Sequence, residues 1–103
     1  MKKSIKACIA ALSLFILFAC GHSTDVVESG TYQGKIIEIE ADEVEIYVKT
    51  DDGKVLELYF TDSTTLTQNG NTVPFESLQE DQTVEVVVEK VGKRLDPISV
   101  TIK

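Results

Sequence analysis

Apolar and polar residues alternate with a period of two from Thr31 to the end of the chain, and this pattern constrains the fold more than any other feature. Most of the apolar positions hold valine, isoleucine, leucine or tyrosine, and Asp-Gly and Asn-Gly pairs interrupt the runs. We expect six short strands and one helical turn over residues 74–78. The alternation therefore predicts an all-β chain. Because closing the sheet removes its exposed edges, we expect a small OB-like or SH3-like barrel.

The second and third strands form the clearest predicted hairpin. Their apolar sets are Val44, Ile46 and Val48 in one strand, and Leu56, Leu58 and Phe60 in the other. Both sets share a face only if Val48 lies opposite Leu56, which leaves residues 51–53 as a three-residue loop. Gly53 then stands at the position of that loop that needs a left-handed backbone.

Four further features of the strands are predicted from phase and turn signals. A change of phase at Ile36-Ile37 predicts a bulge in the first strand. Asn69-Gly70 predicts a tight turn that places Leu66 opposite Val73. Phe75 and Leu78, in the helical turn, are expected to plug one end of the barrel. A turn over residues 92–97 is expected to lead to a last strand whose inward residues are Ile98, Val100 and Ile102.

The first nineteen residues have the layout of an export signal. Lys2, Lys3 and Lys6 precede an apolar run over residues 7–19, which is too short for a typical membrane span. Leu17-Phe18-Ala19-Cys20 resembles the lipobox of bacterial lipoproteins. The resemblance implies cleavage before Cys20, attachment of diacylglyceryl and palmitate groups there, and a membrane-anchored protein of the cell envelope that faces the periplasm or the exterior. Gly21 replaces the aspartate linked to inner-membrane retention, which favours the outer membrane in a diderm host.

The expected organisation is a signal peptide at 1–19, a lipidated cysteine with a flexible tether at 20–30, and a β-barrel domain at 31–103. Removing the leader leaves 84 residues, with seven basic and seventeen acidic side chains and a net charge of about −10. Such a surface repels phosphate backbones, so nucleic acid is excluded as a partner. Cys8 leaves with the leader and Cys20 is acylated, so no disulfide is expected.

Several motifs in the barrel resemble those of small bacterial envelope domains of unknown function. They are Gly34-Lys35-Ile36, Asp51-Asp52-Gly53, Asp62-Ser63-Thr64-Thr65 with Leu66, Phe75 with Leu78, Val84-Glu85-Val86, and residues 98–102. The resemblance covers about residues 31–103 and implies an OB-like barrel that is often lipid-anchored. It implies no catalytic residues, and Asp81 stands where that family usually has glycine.

The sequence offers little for catalysis or for a cofactor. The single histidine, His22, lies in the tether, so no nucleophile can be paired with it in the barrel. Asp51-Asp52-Gly53 is followed by Lys54 where a calcium loop would need a ligand. Strand alternation predicts that Glu38, Glu40, Glu45 and Glu57 are solvated. The expected function is therefore non-enzymatic and without a cofactor, since an enzyme would need a base from another chain.

The outward face of the central hairpin is the candidate binding site. The register pairs Tyr47 with Glu57 and Glu45 with Tyr59, so that the two tyrosines are diagonal neighbours among carboxylates. Cross-strand stabilisation alone would explain these pairs. The functional interpretation is contact with an envelope protein or a glycan, because OB-type barrels bind ligands on this face. Binding of a small ligand or a divalent cation in the envelope is the alternative.

Overall fold

The computed structural model describes residues 23–103, and nearly all of their regular structure is β-strand. The strands are β1 (Gly30–Glu40), β2 (Glu45–Thr50), β3 (Val55–Tyr59), β4 (Thr65–Gln68), β5 (Asn71–Thr72), β6 (Thr83–Val91) and β7 (Arg94–Ile102). They form one sheet in the order β3-β2-β1-β6-β7-β4-β5. Only the pairing of β4 with β7 is parallel. Because β7 also approaches β3, the sheet curls into a nearly closed barrel. The all-β barrel prediction is confirmed. The described residues form seven strands instead of the predicted six, because the two-residue β5 was not expected.

Aliphatic side chains fill the barrel. Those with no exposed surface are Ile36, Ile46, Val48, Leu56, Leu58, Val84, Val86 and Val100. Full burial of such a side chain contributes about 1.5–3 kcal/mol relative to leaving it in water. Residues 23–103 contain no cysteine, so this packing stabilises the barrel without cross-links.

The first strand bends where the sequence predicts it. The register between β1 and β2 shifts between Ile36 and Glu38, which is the predicted bulge. Upstream of it, Gly34 lies so close to β2 that a Cβ atom would stand 2.3 Å from the carbonyl oxygen of Lys49. Glycine is therefore required at position 34 by the close approach of two backbones.

The β2–β3 hairpin has the predicted register. Val48 lies opposite Leu56, and the Thr50 amide donates to the Lys54 carbonyl oxygen at 2.7 Å across the three-residue loop. Gly53 has a φ of +90°, the left-handed backbone that the loop requires.

Val44 differs from its prediction as the first inward residue of the second strand. A 3-10 turn (Ala41–Glu43) reverses the chain between β1 and β2, and the Val44 amide donates to the Ala41 carbonyl oxygen at 3.1 Å. The reversal gives Val44 a φ of +50°, and its side chain is 41% exposed. The strand therefore begins at Glu45, because the tight turn uses Val44 as its last residue.

The short second hairpin and the helical turn after it are confirmed. Asn69 and Gly70 both have positive φ, and the Val73 amide donates to the Leu66 carbonyl oxygen at 3.0 Å. A 3-10 turn (Phe75–Ser77) follows. Phe75 packs edge-on against Phe60, with ring centroids 5.1 Å apart, and closes one end of the barrel together with the buried Leu78.

The turn predicted over residues 92–97 is wrong, and so is the inward position of Ile98. β7 already begins at Arg94, after a tight turn in which Gly92 has a φ of +63°. Val88 lies opposite Pro97 and Val87 opposite Ser99, so Ile98 is an extra residue in the ladder. This bulge turns Ile98 outward, where it is 48% exposed.

The chain before β1 is part of the domain. The Asp25 amide donates to the Val55 carbonyl oxygen at 2.8 Å, and the Val55 amide donates to Asp25 Oδ2 at 3.0 Å. Val27 is buried, and the Lys90 amide donates to Ser29 Oγ at 2.8 Å. Residues 25–29 are thus docked on the barrel, which corrects the prediction that the flexible tether extends to residue 30.

The predicted signal peptide and the acylated Cys20 lie outside the described residues. In the described part of the chain, no helix has the length and apolar character needed to cross a bilayer.

Candidate functional site

Three neighbouring strands bring six tyrosine and glutamate side chains onto one outer face of the barrel. The predicted pairs of Tyr47 with Glu57 and of Glu45 with Tyr59 are present between β2 and β3. β1 adds two more glutamates, since residues directly opposite each other share a face of the sheet. We call the resulting set the tyrosine–glutamate face: Glu38, Glu40, Glu45, Tyr47, Glu57 and Tyr59.

The two tyrosine hydroxyls converge on one carboxylate. Tyr47 donates to Glu57 Oε2 at 3.3 Å, and Tyr59 donates to the same oxygen at 3.1 Å. Both cross-strand pairs are of the type that exchanges no backbone hydrogen bonds, as the Phe60 amide donates to Val44 and the Thr50 amide donates to Lys54. Side chains in such pairs lie closest together, which explains why the phenols reach the carboxylate.

Glu45 differs from its prediction as a solvated residue. Its side chain is only 3% exposed, because Glu40 flanks it on β1, Tyr59 flanks it on β3, and Tyr47 follows it on the same face of β2. Oε2 of Glu45 is buried and has no hydrogen-bond partner. A buried carboxylate oxygen without a donor is costly when it is charged.

Burial and a second carboxylate set the protonation of Glu45. Loss of water raises the pKa of Glu45 to about 7, and the neighbouring Glu57 adds to this rise. The pKa of Glu57 is lowered, first by its hydrogen bond with Glu45 and then by the two phenol donors. Glu57 is thus the ionised member of the pair, and Glu45 holds the shared proton up to near-neutral pH.

Neighbouring carboxylates also raise the pKa values of Tyr47, Tyr59 and Glu40. The hydrogen bond to Glu57 raises the pKa of Tyr59 to about 12. Burial, and then the nearby Glu57 charge, raises the pKa of Tyr47. Both phenols therefore stay neutral as donors. On β1, the contact with Glu38 raises the pKa of Glu40.

The tyrosine–glutamate face contains no nucleophile paired with a base. Its polar groups are carboxylates and phenols. Residues 23–103 contain no histidine, cysteine, methionine or tryptophan. Within that range, no three acidic, histidine or cysteine side chains lie close enough together to hold a metal ion.

Two clefts lie near the face. A narrow one of about 60 Å³ separates the segment before β1 from β7, and its walls include Asp25, Glu57, Tyr59 and Arg94. A more apolar cleft of about 310 Å³ lies at the plugged end of the barrel. Its walls are Ile39, Ala41, Val44, Phe75, Glu76 and Leu78.

The sequence predicted a candidate binding face that contains the two tyrosines and two of the four glutamates, and the structure places these four residues together. Glu38 and Glu40 were left out of the predicted site, although the predicted bulge contained the necessary signal. Because the bulge reverses the phase of β1, the residues after it that alternate with Ile39 must face outward beside Glu45 and Tyr47.

Comparison with known proteins identifies the fold and nothing more specific. The sequence matches no protein-family profile and no curated protein. A copper(II) form of a single-residue variant of CusF from Escherichia coli is similar in structure, with a TM-score of 0.59 and 10% identity over 74% of this chain and 92% of that chain. A silver(I) form of CusF gives a TM-score of 0.56 with 10% identity, covering 71% and 95%. The barrel is therefore OB-like, as predicted.

Proposed function

We propose that this chain is a non-enzymatic binding module of the cell envelope, anchored by lipid at Cys20, which contacts a protein or glycan partner through the tyrosine–glutamate face. The single observation that supports this most is the convergence of Tyr47, Tyr59, Glu45 and Glu57 on the part of an OB-like barrel where such folds hold ligands. The site is assigned here by analogy of fold, joined to the chemistry of its own residues.

The face combines apolar area with fixed charge. The phenol groups offer flat surfaces of the kind that is enriched in protein interfaces and that stacks on sugar rings. Tyr59 is 47% exposed, whereas its hydroxyl is held by Glu57. A side chain that is already fixed loses little conformational entropy when a partner binds, which favours recognition.

The contact is tested by photo-crosslinking in cells from position 59, which is more exposed than position 47. We expect a discrete crosslinked product from position 59 and none from position 89, an exposed position on β6 outside the face. Tyr59→Phe combined with Glu57→Gln should remove capture from a crosslinker at position 40 without unfolding the domain. Equal products from positions 59 and 89, or none from the face, would contradict the proposal.

The anchor is tested separately by the mass of the purified mature protein. We expect the chain to begin at Cys20 and to carry acyl groups, since two or more chains are needed for stable attachment to a bilayer. A free cysteine, or an uncleaved leader in the native host, would contradict the anchored location and leave the binding face to be judged independently.

A divalent-cation binder is the second candidate, supported by the metal-bound CusF forms that share the fold. Silver(I) favours soft sulfur donors and copper(II) favours imidazole nitrogen, and residues 23–103 contain no cysteine, methionine or histidine. This donor set does not fit those ions, although its oxygens suit a hard cation such as calcium. If this candidate is right, millimolar calcium will raise the melting temperature.

A further inference from the structure

We propose that the tyrosine–glutamate face recognises a cationic, arginine-bearing segment of its partner and releases it when the Glu45–Glu57 pair takes up a proton. This inference rests on the proposed function and adds the partner's chemistry and its regulation. Four of the six side chains of the face are glutamates, and the adjoining turn adds the exposed Asp42 and Glu43.

The buried oxygen of Glu45 is the observation that distinguishes this face from an ordinary acidic surface. Glu45 Oε2 has no hydrogen-bond donor, although the side chain is 97% shielded from solvent and its carboxyl group lies beside that of Glu57. Two adjacent carboxyl groups need a positive charge or a proton to be stable together. We therefore expect Glu45 to be protonated when the face is free, and to lose its proton when a cation binds over Glu57.

Arginine fits the face better than lysine does. Its planar guanidinium group can pair with a carboxylate through two hydrogen bonds and stack on an aromatic ring at the same time. Glu57 and Tyr59 supply this carboxylate and ring, already joined at 3.1 Å. The buried Glu45 acts on the bound cation through its charge and does not have to touch it.

The groups around Glu45 set the pH response. β1 contributes Glu38 and Glu40, β2 contributes Tyr47 and, one pair further along, Lys49, and β3 contributes Glu57 and Tyr59. Asp25, Lys93 and Arg94 line the cleft next to Glu57, and Asp42 and Glu43 lie in the adjoining turn. Burial raises the pKa of Glu45 to about 7, whereas the pKa of Glu57 is lowered and the phenols stay neutral. The contact with Glu38 also raises the pKa of Glu40. We therefore assign the change of charge near neutral pH to the buried Glu45, which lies beside Glu57.

The test measures binding of a fluorescent deca-arginine peptide to the full mature chain in neutral detergent, by anisotropy, at pH 5.5 and pH 8. Arginine keeps its charge over this range, so a pH dependence belongs to the protein. We expect at least fivefold tighter binding at pH 8. Glu45→Gln should bind weakly and with little change between the two pH values. His22 is retained in this variant, so its titration cannot explain the difference.

Glu57→Gln and Glu89→Gln form the matched pair of controls, because each removes one negative charge. We expect Glu57→Gln to weaken binding at pH 8 at least fivefold, and Glu89→Gln to weaken it less than twofold. Equal effects of the two variants would show non-specific attraction to an acidic protein and would overturn the recognition of arginine. Equal wild-type affinity at both pH values would overturn the release by protonation. A partner captured from position 59 despite either failure would leave the proposed function standing.

Discussion

At the scale of single residues, Glu45 carries most of the unusual chemistry of this barrel. Its carboxyl group is held away from water beside a second carboxylate, in a position that strand alternation assigns to solvent. Unfolding returns Glu45 to its ordinary pKa, near 4.5. The folded protein therefore binds more protons than the unfolded chain between that value and about pH 7.

This difference predicts how Glu45→Gln changes stability. For wild type, the free energy of unfolding should fall by roughly 2–3 kcal/mol as the pH rises from 5 to 8, because folded Glu45 must lose its proton. The lowered pKa of Glu57 acts in the opposite sense, but below this range. The Glu45→Gln variant has no carboxyl group to titrate at this position. We therefore expect its free energy of unfolding to change little with pH, and to be higher than that of wild type at pH 8.

Urea unfolding at unit steps of pH checks this prediction. Glu89→Gln is the control, since position 89 is exposed, and its profile should follow that of wild type. A Glu45→Gln profile as steep as that of wild type would assign the pH dependence to other groups.

The burial of Glu45 could not be predicted from the sequence. Alternation gives the direction of a side chain from the barrel wall, and that direction was predicted correctly. Exposure also depends on how neighbouring side chains lie over the wall. Here the hydroxyls of Tyr47 and Tyr59 both bind Glu57. These side-chain directions depend on tertiary contacts, which the local sequence pattern does not specify.

At the scale of elements, the two hairpin turns that contain glycine at residues 53 and 70 were predicted correctly, and the reversal at Val44, which contains none, was missed. Gly53 and Gly70 fixed the register of two hairpins through their left-handed backbone. The reversal at Val44 has no such mark, because β-branched residues are rare at positive φ. The bulge at Ile98 was also missed, since Pro97 suggested a turn, whereas it lies inside β7.

The strained turn predicts a stabilising substitution, Val44→Asn. Asparagine adopts the left-handed region far more readily than valine does, and the 41% exposure of Val44 limits the loss of packing. We expect a gain of about 1 kcal/mol, which corresponds to a rise of roughly 4–8 °C in the melting temperature of a domain of this size.

Scanning calorimetry of the variant gives the answer. Val91→Asn is the matched control, because Val91 is 36% exposed and lies in β6, where asparagine relieves no strain and should not raise the melting temperature. An unchanged or lower melting temperature for Val44→Asn would show that the turn is not strained.

At the scale of the whole molecule, the segment before β1 completes the barrel. β3 is the last strand of the sheet on one side, and an uncovered edge strand invites pairing with other chains. Asp25 covers this edge by accepting from and donating to the backbone of Val55.

This contact predicts the behaviour of Asp25→Ala. The Val55 amide loses its carboxylate acceptor, so we expect its hydrogen exchange to become faster at least tenfold, while the exchange of core amides such as that of Val86 changes little. Measurement by NMR, with Asp62→Ala as an exposed control, tests the docking. Unchanged protection of the Val55 amide would contradict the docking of residues 25–29 through Asp25.

Docking of residues 25–29 shortens the reach of the protein. Under the proposed attachment at Cys20, only residues 21–24 span the distance from the acylated cysteine to Asp25, which is at most about 18 Å when fully extended. The barrel would then stay close to the lipid headgroups, so any partner must bind it at the surface of that membrane.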